Sequence, residues 1–171
     1  MRHTIAALVE NRPGVLTKVS GLFSRRRFNI ESLAVGVTER PDISRITIVV
    51  AGDSTVLEQV LKQLNKLIDI IHVTELSSKN SVSRELALIK VAVDSGTRSE
   101  VMQIVDVFRA KIIDVTTDSL IVEVTGDRSK VAAMEQLLSR FGIKELVRTG
   151  DIALHRGSVT AEAIIAQQSD L

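Results

Sequence analysis

Glu10-Asn11-Arg12-Pro13-Gly14-Val15-Leu16, followed by Phe28-Asn29-Ile30-Glu31-Ser32-Leu33, decides how this chain folds. The first stretch joins a short apolar strand, residues 3–9, to a helix through a Pro-Gly turn. Val15, Leu16, Val19, Leu22 and Phe23 recur at the spacing of one helix face. The second stretch converts that helix into a strand in which Leu33, Val35 and Val37 alternate. Glu39-Arg40-Pro41-Asp42 makes a polar turn, and Ile46, Ile48 and Val50 alternate again as the hairpin partner. Gly52-Asp53-Ser54 opens a second helix with Val56, Leu57, Val60, Leu61 and Leu64 on its apolar face, and a fourth strand falls within residues 68–76. The order βαββαβ predicts an α+β, ferredoxin-like unit, with two helices on one face of an antiparallel sheet.

The pattern then starts again. Residues 77–83 are polar, serine-rich and aperiodic, which predicts a linker. Ala87, Ile89, Val91 and Val93 alternate as a strand, and Val101, Ile104, Val105 and Phe108 line a helix. Short strands follow at 112–115 and 120–124, a second helix carries Val131, Met134, Leu138 and Phe141, and a last strand lies within 143–154, interrupted at Gly150. Two tandem units are therefore expected at 1–76 and 84–157, with a tail at 158–171 carrying a short helix near 161–168. The first unit's Asn-x-x-Gly turn is not repeated. Its counterpart is Asp94-Ser95-Gly96-Thr97.

Composition excludes several classes of function. The formal net charge is +1 over 171 residues, so no basic field exists to attract nucleic acid. Four Phe with no Tyr or Trp leave few platforms for stacking bases. The absence of Cys removes thiolate nucleophiles, disulfides and cysteine-based zinc sites, in keeping with a cytoplasmic location. The apolar run before Glu10 is too short for a signal peptide, and no segment reaches the length of a membrane span. His3, His72 and His155 show no metal-ligand spacing, and the chain has no G-x-S-x-G elbow, P-loop or G-x-G-x-x-G. Arg25-Arg26-Arg27 reads as a helix C-terminus whose cations complement the helix dipole. No metal and no catalytic residues are expected.

The Asn11-to-Leu16 turn remains. An α-amino acid offers a carboxylate, which suits backbone N–H groups at a helix N-terminus, and an ammonium, which suits carbonyl oxygens. Asn11, Gly14 and Asn29 could supply such groups. Pro-Gly is also common at helix starts for conformational reasons alone, and Asn11 could serve only as a cap.

Asn11-x-x-Gly14-Val15-Leu16, Gly21-Leu22-Phe23-Ser24-x-Arg26-x-Phe28-Asn29-Ile30-Glu31-Ser32-Leu33 and Ser44-Arg45-x-Thr47-Ile48 closely resemble the regulatory small subunits of acetohydroxyacid (acetolactate) synthase. Phe108-Arg109-Ala110-Lys111-Ile112-Ile113-Asp114-Val115 resembles the signature of that family's C-terminal half, with Gly126-Asp127 and Leu154-His155-Arg156-Gly157 at its later motifs. The resemblance covers residues 1–157. It implies an N-terminal ACT domain, the amino-acid-sensing form of this fold, and a homodimer joining ACT sheets edge to edge. It also implies valine as feedback effector, with leucine or isoleucine in some members. By the resemblance, the chain does no chemistry and activates a catalytic large subunit that uses thiamine diphosphate, Mg²⁺ and FAD in branched-chain amino-acid biosynthesis. The effector residues it implies are Asn11, Gly14, Val15 and Leu16 from one chain, with Asn29 and Ile30 from its neighbour and Val35 as an apolar wall. The alternative is a free-standing ACT-type amino-acid-responsive regulator, against which stands the lack of a helix-turn-helix segment or basic reading face.

Overall fold

A computed structural model describes residues 1–160, 163, 165 and 166. It divides into two compact units, Met1–Val82 together with Asp151–Leu171, and Ser83–Gly150.

The first unit runs β1 (Arg2–Glu10), α1 (Val15–Arg26), β2 (Ile30–Val37), β3 (Ile43–Ala51), α2 (Ser54–Leu64) and β4 (Ile70–Glu75). Its antiparallel sheet has the order β2-β3-β1-β4, so β2 and β4 are the edges. Ile5, Ala7, Ile46, Ile48 and Val50 alternate onto one face, where Val15, Val19, Leu22 and Phe23 of α1 and Leu57, Val60 and Leu64 of α2 close over them. Each such aliphatic side chain contributes about 1.5–3 kcal/mol on full burial. With only four Phe in the chain, Phe23 and Phe28 meet edge-on at 6.0 Å.

The second unit contains most of β5 (Ser81–Ala92), then α3 (Arg98–Val107), β6 (Lys111–Val115), β7 (Ser119–Gly126), α4 (Arg128–Ser139) and β8 (Ile143–Arg148). Its order β6-β7-β5-β8 repeats the topology of the first. The repeat extends to the joints. Arg27 and Arg109 both adopt left-handed backbone, with φ of 58° and 52°. In each case the following N–H reaches back over the last turn, Phe28 to the Phe23 carbonyl at 3.1 Å and Ala110 to that of Val105 at 2.9 Å. This is the Schellman ending, and it turns each first helix sharply into an edge strand. Each second helix starts on Gly-Asp. Asp53 and Asp127 accept the backbone N–H of Val56 and Lys130, both at 2.9 Å. A Cβ at Gly52 would stand 2.6 Å from Val56, and one at Gly126 would stand 2.5 Å from Lys130.

Two features stand at the boundary between the units. The linker drawn at 77–83 is only a turn, because β5 begins at Ser81, a buried residue whose hydroxyl donates to the Ser77 carbonyl at 2.7 Å. The compact body of the second unit ends at Gly150, where φ reaches +85° and the last strand breaks, while β9 (Ile152–His155) beyond it pairs with β5. The chain beyond Gly150 belongs to the first unit. There Asp151 donates its N–H to Ser32 Oγ at 2.8 Å, and Ala153 of β9 is buried with Ala6 and Leu76. Arg156 donates its N–H to the Asn80 carbonyl at 2.8 Å. The helix expected near 161–168 lies largely outside the described residues, of which Ala163, Ile165 and Ala166 are helical.

Candidate functional site

Gly14 caps α1 with φ 86°, and no side chain caps the helix. The Val15 N–H reaches only the Arg12 carbonyl, at 3.5 Å, the limit of a hydrogen bond. The first turn of a helix leaves N–H groups without intrahelical partners, and they carry the positive end of the dipole. In the second unit the loop before α3 is held by a side chain: Asp94 accepts from the N–H groups of Gly96 at 2.8 Å and Thr97 at 2.9 Å, and from the Thr97 hydroxyl at 3.1 Å. Those donors, the Thr97 N–H foremost, hold the Asp94 carboxyl below its usual range. Among the described residues neither helix has a side-chain cap, but the loop before α3 holds a carboxylate and the loop before α1 holds none. Val15 buries its side chain in the core and so fixes the turn, while Leu16 is 42% exposed beside it.

Asn11 follows β1 and is exposed. It ties the β2–β3 turn down, its N–H donating to the Asp42 carbonyl at 2.8 Å and its Nδ2 to that of Pro41 at 2.9 Å. Its Oδ1 is an acceptor suited to an ammonium. A concavity of about 320 Å³ opens here, lined by Glu10, Asn11, Arg12, Arg40 and Asp42 among others. Arg40 bonds Asp42 at 2.8 Å and holds its carboxyl below the usual range. Gly14, Val15 and Leu16 do not line this concavity.

Asn29 and Ile30 stand at the opposite end of the sheet. Ile30 registers with Val50, and Val50 with His3, whereas Asn11 follows Glu10 at the far end of β1. From His3 to Asn11 the strand covers about 27 Å at roughly 3.4 Å per residue. A single chain thus brings Asn11, Gly14, Val15 and Leu16 into one neighbourhood and keeps Asn29 and Ile30 out of it. Val35 and Val37 lie toward the Asn11 end of β2, exposed at 49% and 60%. An edge strand offering open backbone and exposed valines is a template for pairing with another strand.

Several charged groups elsewhere in the first unit have structural roles. Arg25 and Arg26 occupy the last turn of α1, and Arg27 is its left-handed C-cap. His3 bonds Glu75 at 2.9 Å. Sequence reasoning missed the ion pair between Lys18 of α1 and buried Asp69, which secures the helix against the sheet's end. The two are far apart along the chain, and no local pattern announces such a pair. The Asp94 turn ahead of α3 was missed as well. Asp-x-Gly-Thr before an apolar helical run is a legible signal for it.

Comparison with known proteins bears on both units. The model of the AHAS small subunit-like ACT domain matches residues 5–72, and that of the small subunit of acetolactate synthase matches residues 84–157. A probable acetolactate synthase small subunit from Archaeoglobus fulgidus is 58% identical over 158 residues, covering 92% of this chain and 99% of that protein. The acetolactate synthase small subunit of Mycobacterium bovis is 56% identical over 155 residues, covering 91% and 92%. The crystal structure of an acetolactate synthase small subunit from Thermotoga maritima superposes with a TM-score of 0.85 at 45% identity, covering 93% of this chain and 99% of that one.

Proposed function

The chain belongs to the family of acetolactate synthase small subunits, and we propose that it is the valine sensor of that enzyme. As a small subunit it regulates, and catalysis resides in the large subunit. In our reading the chain forms a homodimer through β2, binds valine between the two ACT domains, activates the catalytic subunit and relays feedback inhibition. Thiamine diphosphate, Mg²⁺ and FAD belong to that subunit, and both subunits work in the cytoplasm.

The observation that carries this reading is the uncapped start of α1 at the same end of the sheet as the open end of edge strand β2. Val37 of β2 registers with Ser44 of β3, and Ser44 with Val9 of β1, so Val37 shares its end of the sheet with Asn11. Two β2 edges related by a two-fold axis pair antiparallel. Antiparallel pairing sets the start of one strand against the end of the other, so Asn29 and Ile30 of a second copy arrive near Val35, Asn11 and Gly14. The Gly14 and Val15 N–H groups then receive the valine carboxylate. Asn11 holds the ligand from the same chain, and Asn29 with the Ile30 backbone holds the ammonium from the other. Leu16 and Val35 flank the isopropyl group. A ligand bridging two chains changes affinity with dimer geometry, which is the coupling that allostery requires.

Reconstitution with the native catalytic subunit tests this directly. Activity is expected to rise when the small subunit is added and to fall again with valine. A small subunit that leaves catalytic activity unchanged but is retained on DNA at moderate salt would favour the alternative, a free-standing ACT-type regulator.

A further inference from the structure

The side of the first unit's sheet away from its helices carries a second recess, of about 350 Å³, that effector binding as proposed above does not use. Its floor follows from the strand register. Gly36, Arg45, Leu8 and His72 stand opposite one another across β2, β3, β1 and β4, and Ala34, Thr47, Ala6 and Thr74 form the next row. Directly opposed residues in an antiparallel sheet project from the same face. In the recess itself Ala6 keeps the floor low beside Leu8, Arg45, His72 and Thr74. Over it lies the returning C-terminal segment, which brings Leu154, His155, Val159 and Thr160 into the lining.

The lining is rich in donors. Arg45, His72 and His155 offer nitrogen, Thr74 and Thr160 offer hydroxyls, and Glu39 is the one carboxylate among the described residues. Among those residues the buried Nε of Arg45 has no hydrogen-bond partner. Burial pushes the guanidinium below its ordinary range, against the pull of Glu39, yet an arginine keeps its charge at neutral pH. A desolvated cation donor with no acceptor is costly unless something completes it. Arg45 also belongs to the Ser44-Arg45-x-Thr47-Ile48 motif, and the valine site leaves it without a role.

We propose that this recess is a second binding site, taking a short-chain aliphatic carboxylate whose anion meets Arg45 and whose alkyl body lies on Ala6, Leu8, Leu154 and Val159. An anion supplies the missing acceptor, and the apolar part of the lining gives a short alkyl group a seat. Because the C-terminal segment forms the cover, occupancy fastens that segment to the sheet.

The three histidines make the test direct, since two line the recess and His3 does not. Isobutyrate is titrated into the full-length chain while the imidazole signals are followed by NMR. His72 and His155 are expected to shift saturably, and His3 to stay. Arg45→Gln is expected to weaken binding by about 10- to 150-fold, the loss of a hydrogen bond to a charged group. His155→Gln, followed through His72, serves if Arg45→Gln fails to fold, and is expected to weaken binding too. Absence of a saturable shift, equal movement of His3, or undiminished affinity in the folded Arg45→Gln variant would overturn the site. Equal affinity for inorganic phosphate would overturn the ligand class. Saturating valine is expected to leave the isobutyrate titration in place, and competition between the two would refute a second site. Loss of valine binding in Asn29→Ala with isobutyrate binding intact would keep the two assignments separate.

Discussion

Asn29→Ala and Asn11→Ala, distributed differently over the two chains of a dimer, test the bridging site most sharply. Both residues are exposed, and Asn29 lies outside the strands and helices, so each substitution is expected to leave the Ile46–Ile48–Val50 core undisturbed. Each removes a hydrogen bond to a charged group of the ligand, about 1.5–3 kcal/mol, or roughly 10- to 150-fold in affinity. Within one chain the two positions stand about 27 Å apart at roughly 3.4 Å per residue of strand, so no single valine spans them. With Asn11→Ala on one chain and Asn29→Ala on the other, both lesions fall in one site and the second site is whole. With both substitutions on one chain and none on the other, each site loses one contact. Calorimetric titration of defined mixed dimers is therefore expected to give one near-normal site in the first arrangement and two weakened sites in the second. Identical isotherms for the two arrangements would refute a site that spans the chains.

Two further outcomes follow from the helix starts. Gly14→Asp would put a carboxylate at the N-cap position of α1. Aspartate is among the residues that tolerate a left-handed backbone, so the fold is expected to survive φ 86° there. Activation of the catalytic subunit should persist while valine inhibition is lost, and an unaltered inhibition curve would count against the carboxylate's place. In the second unit, the Ser129 hydroxyl, followed by the Lys130 N–H, holds the Asp127 carboxyl below its ordinary value. A depressed carboxyl stabilises the fold above its unfolded value, near pH 3.9, and that gain is lost as pH falls through the lower folded value. The stability gap between the wild type and Asp127→Ala, read from denaturant melts, should be full near neutrality and shrink below about pH 4.

Nearly all of the two sheets was legible in the sequence, because strand and helix patterns are local. Ile46, Ile48 and Val50 alternate for a face, and Val56, Leu57, Val60, Leu61 and Leu64 recur for a helix, whatever lies around them. The Gly-Asp starts of α2 and α4 are equally local, since the carboxylate caps an N–H three residues on. The ligand turn was legible as a set of residue types, Asn11, Gly14 and Asn29, and family resemblance gave those types a purpose.

Where the chain's last strand belongs was decided by tertiary structure. Nothing local in residues 151–157 announces that a strand pairing with β5 also buries Ala153 with Ala6 and Leu76. Gly150 breaks the direction, and the choice rests on Ser32, Ala6 and Asn80, all distant in sequence. The recess beneath that segment has the same origin, since Arg45 and His155 are near only because the chain doubles back. Register likewise separates Asn29 from Asn11 by the length of the sheet, although the chain between them is a single helix and its turns. Periodicity fixes which face a residue joins. Which distant segment covers that face depends on the hydrogen bonds and apolar surface available once the sheet has formed.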